Sequence, residues 1–218
     1  MNSHNSPIAN FRDRDELIHD EDEIALQEAK NGLLQFDEVL RLAEEFSSAQ
    51  QITVTPGLIL ELNRIAIQGI RRSAGQFRQV PIEISNTPHL PPEYEAVPEL
   101  VSEMCDYVNS NWRKHNDDAD DAIHISAYLM WRVNWIHPFR DGNGRTSRAI
   151  SYLALCTRLG RLVPGAPTIA DQIVDNRMPY YAALDAADAA WKTGLVDVSE
   201  MEVLIRELLV KQLASVSL

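Results

Sequence analysis

His137-Pro138-Phe139-Arg140-Asp141-Gly142-Asn143-Gly144-Arg145-Thr146-Ser147-Arg148 is the stretch on which the reading of this chain turns. His137 stands where a helix must stop, because a residue before proline disfavours the helical region. Four positions on comes a carboxylate, then a Gly-Asn-Gly turn that opens a new helix. Glycines there let backbone N–H groups point into a concave space, and the helix N-terminus adds partial positive charge, so the turn is an anion site. Arg145 and Arg148 lie three apart on one helix face and can both reach that anion as charge-assisted forks. Asp141 beside phosphates is a hard oxygen ligand of the kind Mg2+ uses, since that ion keeps several waters and takes one or two carboxylates. His137 has an ordinary pKa near neutrality and can take a proton from a hydroxyl. A base, a metal carboxylate, a backbone cradle and two clamps within twelve residues predict phosphate-ester chemistry on a nucleotide. The chain has no GxxxxGK[ST], so the site is not a P-loop.

Working outward, the flanking segments read as two central helices. Ala122 to Trp135 is almost continuously apolar, as a helix with few positions for water must be. Gly144 to Leu159 forms its partner, with Gly160 as the C-terminal stop. Further helices are expected from Ile24 to Phe46, with Leu33, Leu34, Phe36, Val39 and Leu40 on its apolar side, and from the Thr55-Pro56 cap through Ile70. Others follow from Pro98 to Val108 and over 168–176, 179–191 and 199–214. Gly32 weakens the first of these by about 1 kcal/mol relative to Ala. Phe77, Val80, Ile82 and Ile84 partly alternate around Pro81, which fits a short hairpin or edge strand. Pro88, Pro91 and Pro92 then hold an extended segment, and Asp117, Asp118, Asp120 and Asp121 mark an exposed acidic turn. The expected fold is mostly α, a single helical domain over 24–218 with one small β-hairpin. Residues 1–23 form an acidic tail and leader, with residues 13–23 solvated.

The 218 residues carry 20 Lys and Arg against 32 Asp and Glu, a net charge of −12. That balance argues against a general nucleic-acid binder. The N-terminus lacks the apolar run of a signal peptide, and no window approaches the roughly 18 apolar residues of a membrane span. Cys105 and Cys156 belong to no CxxC pair and read as reduced core thiols, which suits a cytoplasmic location. Trp112, Trp131, Trp135 and Trp191 lie on helical patterns and read as packing. Tyr180 and Tyr181 read as core or cavity wall, and His89 as a loop hydrogen-bonding residue. The C-terminal helix is core or a homodimer face.

The quoted stretch matches the signature HxFx(D/E)GNGRxxR, and by it the chain resembles the Fic family of nucleotidyl transferases. Seven fixed positions and one Asp/Glu choice recur by chance at about one in ten billion starts. Gly75 to Pro92 resembles the family's flap hairpin and following loop, Val97-Pro98-Glu99-Leu100 the start of the next helix, and Pro179 to Leu184 its Tyr-Tyr-x-x-Leu segment. The resemblance implies a helical bundle around two motif helices and transfer of AMP from Mg-ATP to a Ser, Thr or Tyr hydroxyl of a target protein. By matched position, His137 is the base and Asp141 holds Mg2+. Gly142, Asn143 and Gly144 form the anion hole, with the Asn143 side chain on the α-phosphate. Arg145 serves the β-phosphate side, and Arg148 the γ-phosphate or an inhibitory glutamate. Phe139 anchors the loop in the core. The flap around Gln79, Val80 and Ile82 clamps the target's backbone. Such proteins often carry [S/T]xxxE[G/N]. No clean copy occurs here, and Gln27-Glu28-Ala29-Lys30-Asn31-Gly32 is the nearest fragment. Glu28 reads first as a solvated helical residue, and inhibition, where present, falls to Glu28 or to a separate antitoxin chain. Other donors, other transferred groups, AMP removal and nucleotide sensing without catalysis stay open.

Overall fold

The apolar segment before the motif and the segment after it form the central pair of the molecule. The computed structural model describes residues 15–49, 53–84, 87, 89–112 and 119–216. Among these, eight α-helices form: α1 Glu21–Ala49, α2 Pro56–Ile67, α3 Val97–Trp112, α4 Ala119–Ile136, α5 Asn143–Arg158, α6 Ile169–Asp175, α7 Met178–Trp191 and α8 Ser199–Ala214. The tail over 1–14, Pro88, and Asp117 and Asp118 of the acidic turn lie outside the described residues.

Helix α4 buries Ile123, Ala127, Leu129, Trp131, Val133 and Ile136 around its circumference, as its composition demands. It packs along α5, which buries Ile150, Leu153, Ala154 and Leu155. A small polar contact keys the two helices, where Ser126 and Ser151 hydroxyls meet at 2.6 Å and Ser151 also donates to the Ser126 carbonyl at 2.9 Å. Helices α1 and α2 cover one side of α5, while α3 and α8 cover α4. Thr55 caps α2 by accepting from the Leu58 N–H at 3.2 Å, and Pro56 opens it. Gly160 adopts φ 66° just beyond α5, the left-handed turn that ends the helix. Cys105 and Cys156 are buried free thiols, and burial pushes Cys105 up to about 12. No helix among the described residues is long and apolar enough to cross a membrane.

Three expectations change. The inward face of α1 is not its leucine pattern. Leu33 is 70% exposed and Leu34 51%, whereas Asn31 and Gln35 are buried with Val39, Leu42 and Ala43. The amides win because they donate to backbone carbonyls of α2 and of the residue just after it, of which Ala66 O is one that the helix end leaves without an intrahelical donor. Asn31 Nδ2 donates to Ala66 O at 3.2 Å and Gln68 O at 2.8 Å, and Gln35 Nε2 donates to Leu62 O at 2.8 Å.

The leader is not solvated throughout. Asp15 is 5% exposed, accepting from the Ser73 N–H at 2.9 Å and the Ser73 hydroxyl at 2.8 Å. Glu16 forms an antiparallel bridge with Arg71, and the Leu17 N–H donates to Ile70 O at 2.9 Å. Asp20 then caps α1 through the Glu23 N–H at 3.0 Å, so the acidic run sits where a helix dipole favours it.

Over the described part of the flap, 77–84, no ladder forms and the backbone is irregular. Pro81 has no N–H to offer, and Arg78 anchors the segment to the loop after α4 instead.

Candidate nucleotide site

Helix α4 ends at Ile136, and the chain turns sharply. His137 adopts φ 49°, a left-handed conformation uncommon for a side chain with a Cβ. Arg78 over-determines that turn. It is 2% exposed and donates Nε to His137 O at 2.8 Å, its backbone N–H to Pro138 O at 2.9 Å, and Nη2 to Pro92 O. Phe139 is fully buried and stacks obliquely on Phe77 at 5.9 Å, as expected of a loop anchor. Asn63 of α2 donates to Asp141 O at 2.9 Å and accepts from the Gly75 N–H at 3.1 Å. These contacts hold the loop from outside the motif, and sequence reasoning singled out neither Arg78 nor Asn63. Their only signals were a lone arginine in an apolar run and a lone amide on the apolar face of α2.

Gly142 at φ 80° opens α5. A Cβ there would lie 2.7 Å from Ile67 Cγ2 and 2.9 Å from Asn63 Nδ2, so glycine is the residue that fits. No side chain caps this terminus, and the first N–H groups of α5 keep their donor capacity for an anion. The Asn143 side chain closes the loop. It is 3% exposed, accepts from the Phe139 N–H at 2.9 Å and donates to Phe139 O at 2.9 Å. One N–H and one lone pair of the amide close the loop, and the second N–H of Nδ2 keeps its donor capacity.

A cavity of about 410 Å³ opens here, lined by His137, Asp141, Gly142, Gly144, Arg145 and Arg148, and also by Tyr180 and Tyr181. His137 Nδ1 lies 3.2 Å from Asn134 O. A carbonyl only accepts, so Nδ1 carries the proton and Nε2 keeps its lone pair. Burial pushes the His137 pKa down to about 4, with the Arg78 and His89 charges adding to the effect. Asp141 stays ionised: burial opposes it, but the guanidiniums of Arg145 and Arg71 and the Gly142 N–H hold its carboxyl below the ordinary value. Arg145 donates to Asp141 Oδ1 at 3.0 Å and Ala66 O at 3.2 Å, and pairs with Glu28 at 3.1 Å. Glu28, read first as a solvated helical residue, is 44% exposed in its side chain and reaches the first motif arginine.

The flap residues divide. Ile84 lines this cavity, whereas Gln79 and Val80 line a neighbouring one with Asp15, Arg72 and Arg140. Ile82 is half-buried. His89 places Nε2 2.8 Å from Trp135 O and Nδ1 3.2 Å from Asp188 Oδ2, so the loop bond expected of it is present. Burial works against its charged form, yet both acceptors outweigh that and raise its pKa.

A divalent cation fits one side of this cavity in a particular way. Among the described residues no cluster of three or more His, Cys, Asp or Glu could hold a metal unaided. Asp141 offers a single carboxylate beside a backbone anion cradle. That donor set suits an ion completed by substrate phosphates and water, not a caged structural metal.

Fold and site together define a helical protein built around a helix–loop–helix whose second helix starts uncapped at a cavity. The sequence model of the Fic/DOC family matches residues 53–155, which contain the whole motif, and that segment is a Fic/DOC domain. It is 30% identical over 131 residues to protein adenylyltransferase fic-1 of Caenorhabditis briggsae, covering 60% of this chain and 23% of that protein. It is 26% identical over 159 residues to protein adenylyltransferase Fic of Nematostella vectensis, covering 72% and 34%. The chain thus spans about a third or less of these relatives. The fold is similar to a Fic domain containing signaling protein from Bacteroides thetaiotaomicron, with TM-score 0.65, 18% identity and coverage of 87% and 71%. It is also similar to Fic-1 from C. elegans, with TM-score 0.62, 22% identity and coverage of 84% and 49%.

Proposed function

We propose that this chain transfers AMP from Mg-ATP to a Ser, Thr or Tyr hydroxyl of a target protein. The observation that carries the reading is the contact of His137 Nδ1 with Asn134 O, which leaves Nε2 its lone pair in a residue lining the same cavity as Gly144, Arg145 and Arg148 at the uncapped start of α5. Nε2 accepts the proton of the attacking hydroxyl, contributing about 10²–10⁴-fold. The N–H groups of the α5 start take the charge that develops on the α-phosphate, and Arg145 and Arg148 hold the outer phosphates. Asp141 would hold a magnesium ion, which supplies charge neutralisation on the phosphates when bound. Tyr181 and Tyr180 offer an aromatic wall for the base.

The test is incubation with Mg2+ and α-labelled ATP in a cell lysate, with His137→Ala alongside. Label on a lysate protein or on the chain itself, absent in the variant, supports transfer. Nucleotide binding without any label, in a protein freed of inhibition, would favour a sensor, and label only from another nucleotide would change the donor.

The proton acceptor sets a pH expectation. A base with pKa about 4 in the folded protein stays neutral well below the ordinary 6.5. The acid limb of kcat/KM for transfer is therefore expected nearer pH 4 than pH 6.5. Protons bind the unfolded chain preferentially between those values, so this group's contribution to stability is complete above pH 6.5 and is lost as pH falls toward 4. A limb centred at pH 6.5 would count against a buried neutral base.

Glu28 competes with phosphate for Arg145 and is the inhibitory contact in this reading, with a separate inhibitor chain as the other source. Glu28→Gln is expected to raise labelling severalfold with little change in melting temperature, since the pair is half-exposed. Unchanged labelling would return Glu28 to an ordinary helix-surface role.

A further inference from the structure

Arg71 belongs to no motif, yet it reaches the carboxylate of the loop. Its Nε donates to Asp141 Oδ2 at 3.0 Å and its Nη1 to Glu16 Oε1 at 3.1 Å. On the other side of the same carboxylate stand Arg145 at 3.0 Å and, beyond it, Glu28 at 3.1 Å. Three carboxylates and two guanidiniums alternate along one line: Glu16, Arg71, Asp141, Arg145, Glu28. The two arginines are not equivalent. Arg145 lines the cavity and can turn to a phosphate, whereas Arg71 lies outside the lining, behind Asp141. Backbone pairing of the leader with residues 70–72 fixes Arg71 in place, through Leu17 N–H to Ile70 O at 2.9 Å and Arg72 N–H to Asp15 O at 2.8 Å.

A guanidinium on one carboxylate oxygen takes a lone pair and lowers the negative potential that a small hard cation needs before it gives up water. Resting on the reading of Asp141 as the carboxylate that faces a divalent cation, we propose that Arg71 is a further positioning residue of the donor site, a fixed counter-charge on Asp141 Oδ2 that weakens its hold on the cation, while Glu16 offsets that charge from behind. The leader thereby takes part in the site without touching substrate, and cation binding depends on the nucleotide's own phosphates.

The readout is binding, not turnover. Calorimetry with α,β-methylene-ATP gives the ratio of nucleotide affinity in saturating Mg2+ to that in EDTA for the full chain. Arg71→Met is expected to raise this ratio about five- to tenfold, and Arg71→Lys, which keeps the charge but loses the fork, to raise it less. Glu16→Gln is expected to lower it, because Arg71 then acts on Asp141 undiminished. A purely structural role would move Arg71→Met and Glu16→Gln in the same direction. Arg72→Met, an exposed neighbour outside the line, should leave the ratio unchanged. In an Asp141→Asn background, Arg71→Met should be silent, the signature of action through that carboxylate. A ratio unchanged or lowered in Arg71→Met, while Asp141→Asn abolishes the cation's effect, overturns the role of Arg71 alone. A ratio indifferent to Asp141→Asn overturns the reading of Asp141, and this inference with it.

Discussion

His137→Ala is expected to lower AMP transfer by at least a hundredfold while the affinity for Mg-ATP changes less than about threefold. The separation follows from what each atom does. His137 Nδ1 is spent on Asn134 O, and Nε2 keeps its lone pair in a residue that lines the cavity. The groups proposed to bind phosphate, by contrast, are backbone N–H groups of α5 and the two motif arginines, and the one bond recorded for the histidine ring goes to Asn134 O. The turn itself is held through the His137 backbone, its N–H donating to Val133 O at 2.9 Å and its carbonyl accepting from Arg78. Alanine keeps that backbone. Single-turnover labelling together with nucleotide calorimetry checks the split. Loss of nucleotide binding in the variant would make the ring a structural piece of the cavity and would remove the base from the mechanism.

Arg78→Met is expected to be the most destabilising of these substitutions, by about 3 kcal/mol, which lowers the melting temperature by about 6–12 °C in a chain of this size. Arg78 is 2% exposed and binds backbone carbonyls, those of His137, Pro92 and Val80 among the closest. Methionine fills much of the volume and leaves those acceptors without donors. Buried acceptors stripped of a partner carry the full desolvation cost. The loss has a second consequence. Arg78 holds the flap segment onto the loop in which His137 keeps φ 49°. Without it the histidine is free to relax, and transfer should fall even at temperatures where the variant is folded. Thermal unfolding by circular dichroism, paired with labelling at a temperature well below the transition, tests both parts. A shift under 2 °C with unchanged labelling would mean that other contacts determine the turn.

The helices were readable because each has its own local cause. The run Ala122 to Trp135 is too apolar to be anything but a central helix, Thr55-Pro56 is a cap and first turn, and Gly160 is a stop. The motif was readable because its residue types are close in sequence as well as in space. The apolar side of α1 was misread for a physical reason: α2 and the residue after it present carbonyls to α1, and Asn31 and Gln35 donate to them where leucine could not. That need exists only once two helices are packed, so no periodicity within α1 announces it. No pairing forms over the described part of the flap, because alternation reports a preference for extended chain and is silent about a partner strand.

The helical class and the Fic signature could be read from the chain alone, because these depend on local periodicity and on twelve contiguous positions. Tertiary structure alone decided how those residues are held and charged. Asn143 clips the loop, Arg78 and Asn63 brace it from outside the motif, and Glu16, Arg71 and Glu28 bring long-range charge onto Asp141 and Arg145. Arg71 lies 70 positions from Asp141, and Asn63 lies 78. Hydrogen bonds and ion pairs act over a few ångströms of space and are blind to separation along the chain, so only the packed helices could bring these groups together.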